Sequence, residues 1–255
     1  GVGPARNLPR HGIAPHAPWQ RRGAPPAAPR ILSTDFLHVN TPTLPPAPPA
    51  GAHAITLPCG TALWLLPQRA VWWPAARMVL VADVHFGKAA TFRRAGLPVP
   101  HGTTADNLAR LDAVLTATGA DHLVFLGDFL HARGGAADAL WQQLLPWRQR
   151  HARVAMTLVR GNHDLHAGDP PASLAMALVH EPWQPCATVP VLACHHPQAV
   201  AGHTVIAGHL HPTLRLRGPA RDALRAPCFG WGNGQLVLPA FGAFTGTAPD
   251  TLPAH

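Results

Sequence analysis

The sequence predicts an α/β fold, a β-sandwich with helices on its outer faces. Three observations predict it. Short apolar runs bounded by turn residues recur along the chain, as buried strands do. Segments of helical character alternate with these runs, the clearest having Leu108, Leu111 and Leu115 three and four apart on one face. The alternation then gives way to strands joined by short loops, which calls for two sheets. With 255 residues, 47% of them hydrophobic, the chain can build one domain with a full core.

Residues 1–50 stand apart. They hold twelve of the thirty prolines, which remove backbone donors and resist helix, so an extended, disordered segment is expected. Its bland reading, an upstream extension without a packed role, outweighs that of a basic tether for DNA. Within it only Ile31 to Val39 suits docking. The folded domain is expected over 51–255. It opens with a meander of strands at Ala54–Leu57, Ala62–Leu66 and Ala70–Trp73, and continues with an apolar run at Met78–Ala82. A helix follows over Thr103–Leu115, then a strand at Leu123–Leu126, a helix over Ala136–Trp147 and a strand at Val154–Val159. Ser173–Val179 reads as a short third helix. Val191–Cys194, Thr204–Ala207, Leu214–Leu216, Pro227–Phe229 and Leu236–Leu238 complete the strands.

Composition excludes some classes and leaves others open. No apolar stretch approaches the ~18 residues of a membrane span, and no basic-plus-apolar signal segment is visible. Cys59, Cys186, Cys194 and Cys228 form no CxxC pair, so reduced thiols in a cytoplasmic protein are expected rather than a disulfide framework. Cys194 reads as a packed thiol. The net charge of +8 suits a polyanionic partner such as nucleic acid. Five arginines and one aspartate place +4 of it in the first fifty residues, leaving +4 for the rest. Lys88 is the only lysine, a bias that GC-rich coding also produces.

Five apolar runs each end in residues that bind metals: Asp83-Val84-His85, Gly127-Asp128, Gly161-Asn162-His163-Asp164, Cys194-His195, and Gly208-His209-Leu210-His211. Ligands gather at the carboxyl ends of strands, where loops diversify without disturbing the core. In Asp83-x-His85 and His209-x-His211 the paired side chains share one face of an extended segment. Sorting the donors gives one ion held by Asp83, His85, Asp128 and His211. A second is held by Asp128, Asn162, His195 and His209. Two divalent cations against two carboxylates leave +2 to stabilise an attacking oxygen and a phosphate ester, whereas a structural zinc site would be closed by four Cys or His. His163 is expected above the site as a proton donor, with Asp164 orienting its imidazole and His131 either supporting the ligands from behind or contacting substrate. His195 and His196 compete for one ligand position, and His195 is chosen because it directly follows the apolar run. With 18 histidines in the chain any single one is weak evidence; five such endings in order are not.

These motifs together resemble the calcineurin-like metallophosphoesterase superfamily. Ala82 to Pro100, with the pattern ADVHFGKAATFRRAGLPVP, is similar to the ligase-associated DNA damage response phosphoesterases (the PdeM family). So are His209-Leu210-His211-Pro212 and the ending Leu238-Pro239-Ala240-Phe241-Gly242-x-Phe244-Thr245-Gly246. The likeness runs from about residue 52 to 247. It implies a four-layer α/β/β/α sandwich and a manganese-dependent phosphodiesterase or endonuclease acting on DNA. It also implies association with a bacterial repair system of a DNA ligase, an exonuclease and a helicase-like protein. The mixed donor set itself suits manganese, iron or zinc. Lys88, Arg93 and Arg94 follow the first ligand pair and are candidates for substrate binding at the rim. Arg215, Arg217, Arg221 and Arg225 form a second basic stretch, read as a solvated face. Trp72 and Trp73 can stack on bases, but core packing is favoured. Hydrolysis of small phosphodiesters or nucleotides, and a non-catalytic scaffold in a repair complex, are the competing readings.

Overall fold

Alternation along three strands divides the core in two. On β4 (Met78–Ala82), Val79 and Val81 face one way while Met78, Leu80 and Ala82 face the other. The same holds for β5 (His122–Leu126) and β6 (Ala155–Val159), as the period of two in an extended chain requires. The computed structural model describes residues 48–99, 101–131, 138–217 and 223–245, all within the unit Leu44–His255. Residues 1–47 of the proline-rich head, with Ile31 to Val39, and also Pro100, the start of the helix expected from Ala136, Arg221 and Gly246 lie outside the described residues.

The larger sheet has seven strands in sequence order. β1 (His53–Thr56), β2 (Ala62–Leu66), β3 (Ala70–Trp73) and β4 pair antiparallel; β4, β5, β6 and β7 (Ala177–Val179) pair parallel. On one face lie helices α2 (Thr103–Thr118) and α3 (Asp138–Arg150). Leu108, Leu111 and Leu115 of α2 with Leu140, Leu144 and Trp147 of α3 pack on Val79, Val81, Leu123 and Phe125. Burying each such leucine contributes ~1.5–3 kcal/mol.

On the other face stands a four-stranded sheet. Its order is β12 (Gly230–Gly232), β13 (Gln235–Val237), β9 (Thr204–Ala207), β8 (Val191–Ala193). Val191, Ala193, Ile206 and Leu236 meet Leu80, Ala82, Val124 and Leu126 between the sheets. Its outer face carries Leu192, Cys194, Val205 and Ala207, packed by Val200 of the loop between β8 and β9. A separate two-stranded arm, β10 (Thr213–Arg217) and β11 (Ala223–Pro227), follows β9. Trp72 and Trp73 are buried in the core, not presented to a ligand.

Local readings failed in a few places. Ser173–Val179 is not a helix: a 3-10 turn at Ala172–Leu174 leads into β7, which pairs with β6 from Thr157↔Ala177 to Val159↔Val179. Edge pairing overrides the helical propensity of Leu-Ala-Met-Ala-Leu. Pro227–Phe229 is not a strand of its own, since β11 ends at Pro227 and Cys228-Phe229 leads into β12. The closing segment adds to the sandwich: Phe241 N–H donates to Ala82 C=O (2.8 Å) and Gly242 N–H to Asp83 C=O (3.2 Å), fastening the ending motif beneath the end of β4. Among the described residues, no helix is long and apolar enough to cross a membrane.

Candidate metal centre

The five strand ends converge. Asp83 and His85 follow β4, Asp128 follows β5, Asn162 and His163 begin α4 (Asn162–Ala167) after β6, His195 follows β8, and His209 and His211 follow β9. The paired motifs are not extended, as the sequence reading had them. Asp83 (φ 53°), His85 (φ 49°), Asp128 (φ 49°), His209 (φ 69°) and His211 (φ 47°) all lie in the left-handed region. Non-glycine residues are uncommon there, and such strain collects at functional sites. The physical reason is that each strand stops at the sheet edge and the chain must turn at once to bring successive side chains into one cavity. Gly127 (φ 72°) permits the turn into Asp128 and also the packing of His195, since any side chain at 127 would collide with that imidazole ring.

Asp128 stands at the middle. Its Oδ2 lies 3.6 Å from His85 Nε2 and its Oδ1 lies 3.5 Å from His195 Nε2, so the two oxygens face different histidines. Asp83 Oδ1 lies 3.6 Å from His211 Nε2 and 3.7 Å from His195 Nδ1, while Asp83 Oδ2 accepts the backbone N–H of His209 (2.8 Å). Donor atoms of Asp83, His85 and His211 lie within 4.8 Å of one another, as do those of Asp83, Asp128 and His195. Asp83, His85, Asp128 and His195 are buried; His211 is partly open and His209 is exposed at the mouth.

The residues fit a pair of cations. His195 Nδ1 faces the Leu126 carbonyl (3.1 Å), and its Nε2 faces Asn162 Oδ1 (2.9 Å) and His209 Nδ1 (3.0 Å). A neutral imidazole has one proton for two carbonyl oxygens. Burial holds His195 below the ordinary histidine range, against the pull of Asp83. His195 Nε2, Asn162 Oδ1 and His209 Nδ1 thus gather at the mouth of the cleft, a donor set that would suit a divalent cation. Buried Asp83 Oδ1 has no hydrogen-bond donor, although a carboxylate in such a place needs one or a metal. Burial, then repulsion from Asp83, raises the Asp128 carboxyl above its usual value. Two acidic groups in a dry cleft need positive charge.

His196 is placed differently from His195. Its Nδ1 sits 2.6 Å from Glu181 Oε1, while Glu181 Oε2 accepts the backbone N–H groups of His195 (2.7 Å) and His196 (2.8 Å). Glu181, the only glutamate in the chain, was missed by sequence reading. Its position in a loop fourteen residues from His195 gave no spacing signal, and its rarity was the only hint.

His163 leans over the centre with Nε2 3.9 Å from Asp128 Oδ2 and its side chain 38% exposed. Its Nδ1 faces the His131 carbonyl (3.1 Å), and the two rings stack with centroids 5.2 Å apart. Asp164 does not orient this imidazole, contrary to the sequence expectation. Its Oδ1 accepts the Phe129 (2.9 Å) and Leu130 (3.2 Å) N–H groups and its Oδ2 the Gly161 N–H (2.9 Å), so it clamps the loop after β5 to the start of α4. Buried donors claimed both of its oxygens. His131 holds His163 through its backbone, and burial with the nearby Lys88 charge lowers its own ring to about 4.

Lys88 opens α1 (Lys88–Arg94) and is half-buried beside the centre. Burial lowers its pKa, opposed by the attraction of Asp128 and Asp83. Arg93 is partly buried and Arg94 exposed further along α1; Arg94 Nη2 lies 3.5 Å from Thr91 Oγ1, within the helix. Burial raises the Cys194 thiol to about 11, which suits packing and not attack.

His85 contributes one part of the pH response of the metal-free protein. Burial, then Lys88 and the neighbouring histidines, lower it to about 2, from the ordinary histidine value of ~6.5. A depressed folded pKa means that the unfolded chain binds the extra proton first, so this stability is complete above ~6.5 and falls as acid is added. Between about pH 7.5 and about pH 5 the loss from His85 alone is ~2 kcal/mol. Metal-free His85→Asn should therefore lose about 2 kcal/mol less than the parent over that interval in chemical denaturation; equal losses would contradict the placement of His85.

Comparison with known proteins identifies the family. The family described as calcineurin-like phosphoesterase matches residues 76–219. A solved structure, "Crystal structure of Pseudomonas putida nuclease MPE", is 45% identical with a TM-score of 0.69, covering 80% of this chain and 93% of that one. The Escherichia coli phosphoesterase Yfce is 16% identical with a TM-score of 0.36, covering 68% of this chain and 84% of that one. No curated protein matches.

Proposed function

We propose, because this chain belongs to the calcineurin-like phosphoesterase family, that it is a two-metal phosphodiesterase that cleaves DNA. The metal-dependent phosphoesterase class comes with the family, and the observation that carries the two-ion reading is Asp128, whose oxygens face separate histidines. Asp83, His85, Asp128 and His211 would hold one cation, and Asp128, Asn162, His195 and His209 the other. Manganese is the proposed ion; iron and zinc suit the same donors. Such a pair, when bound, supplies an activated water and neutralises phosphoryl oxygens.

The chain's own groups do the rest. His163, in its doubly protonated form with Nδ1–H held by the His131 carbonyl, presents Nε2–H toward the centre and can give that proton to the departing oxygen, leaving a neutral ring. Lys88 adds a positive charge facing the carboxylates, where a phosphate can be gripped. Asp164 keeps the loop bearing Asp128 in register with the turn bearing Asn162 and His163. Arg93 and Arg94 are proposed only as rim contacts.

Support for DNA as substrate is the similarity to the Pseudomonas putida nuclease and the basic balance of the chain. The resemblance of the Ala82–Pro100 and closing segments to the ligase-associated phosphoesterases supports a role in bacterial DNA repair, beside a ligase, an exonuclease and a helicase-like protein. The catalytic domain is proposed to span 51–255, with 1–50 dispensable. A panel of single-stranded DNA, duplex DNA and cyclic nucleotides with manganese, iron or zinc tests the assignment. Cleavage of DNA with manganese is expected, and cleavage of cyclic nucleotides alone would overturn it.

A further inference from the structure

The arm β10–β11 belongs to neither large sheet and has no part in the chemistry so far. Its register pairs Leu214↔Ala226, Arg215↔Arg225, Leu216↔Leu224 and Arg217↔Ala223. Residues directly opposite share a face and successive residues alternate. One face therefore carries Leu214, Leu216 and Leu224, and the other Arg215, Arg217 and Arg225. All six are exposed. Among the described residues, no carboxylate pairs with any of the three arginines, unlike Arg77, Arg150 and Arg160.

Two features point to an anion. Arg215 and Arg225 stand directly opposite in the ladder, where like charges destabilise the pair; an anion between them removes the penalty. The arm also springs from the metal centre. Cys228 N–H donates to Pro212 C=O (3.0 Å) at its base, one residue beyond His211, whose Nε2 faces Asp83. Five residues per strand carry it ~17 Å outward. Guanidinium groups in a row suit phosphates, which they grip in bidentate fashion.

We propose that this arm is a guide for the substrate strand, its arginine face binding the DNA phosphate backbone leading away from the metal centre. The proposal rests on the nuclease reading and adds where the polymer lies. Arg221, which the sequence groups with these arginines, lies outside the described residues and is not needed.

The test compares the full chain with the triple variant Arg215→Gln, Arg217→Gln, Arg225→Gln, using manganese. Substrates are a DNA oligonucleotide and the small ester bis-p-nitrophenyl phosphate, across a salt series. The expected result is a fall of about tenfold or more in kcat/KM for DNA relative to the ester near physiological salt. The slope of log(kcat/KM) against log salt for DNA should also drop by about 2–3, since each lost phosphate contact removes ~0.7–0.9. An unchanged DNA-to-ester ratio with an unchanged slope would overturn the proposal. Equal losses on both substrates would also overturn it, making the arm a support of the fold. A parent that hydrolyses the ester but neither binds nor cuts DNA would overturn the nuclease reading and the guide with it. A parent that cuts DNA as well as an unaffected variant would overturn the guide alone.

Discussion

Replacing Asp128 with Asn should lower phosphodiesterase turnover by about a thousandfold or more and weaken the binding of both cations. The carboxylate has one oxygen toward His85 and the other toward His195. An amide keeps one oxygen and turns N–H protons on the other side, so it removes negative charge from both sites and repels one ion outright. Kinetics with bis-p-nitrophenyl phosphate, together with metal content after gel filtration, check this. A variant that keeps full activity with both cations bound would show that Asp128 does not bridge.

His163→Ala should behave in the opposite sense, keeping its metals and losing rate. Removal of a positioned general acid costs about 10²–10⁴-fold. The ring is 38% exposed, is tethered through Nδ1 to the His131 carbonyl, and stands 3.9 Å from Asp128, beyond the 3.5–3.6 Å at which His195 and His85 approach that carboxylate. The loss should depend on the leaving group. DNA departs as an alkoxide that needs a proton, whereas p-nitrophenolate leaves without one, so the deficit should be large on DNA and small on the aryl ester. Loss of metal in the variant would instead make His163 a ligand. Equal deficits on both substrates would remove its role as acid.

The strands that lead to the centre were legible because they are buried on both faces and so read as unbroken apolar runs. Met78–Ala82 has the boundaries seen in the sequence, and each metal-binding motif lies at the end of its run. The geometry between those points was not legible. Asp83-Val84-His85 reads as extended, yet both ligand candidates have positive φ, a conformation set by what the cavity demands and not by local preference. Asp164 beside His163 looks like a catalytic pair in sequence, but three buried backbone donors compete for its oxygens. Such competition is invisible until the loops are packed. Glu181, with its hold on the His195 backbone, and β7, formed by a segment of helix formers at a sheet edge, depend equally on partners far along the chain. The basic stretch from Arg215 read as an ordinary solvated face; pairing into a ladder gathered its arginines onto one side.

The most direct measurement is anomalous diffraction from crystals of the full chain grown with manganese. Two peaks should flank the Asp128 carboxylate, one against Asp83, His85 and His211 and the other against Asn162, His195 and His209. A lone peak, or a pair lying away from that carboxylate, would contradict the two-cation centre.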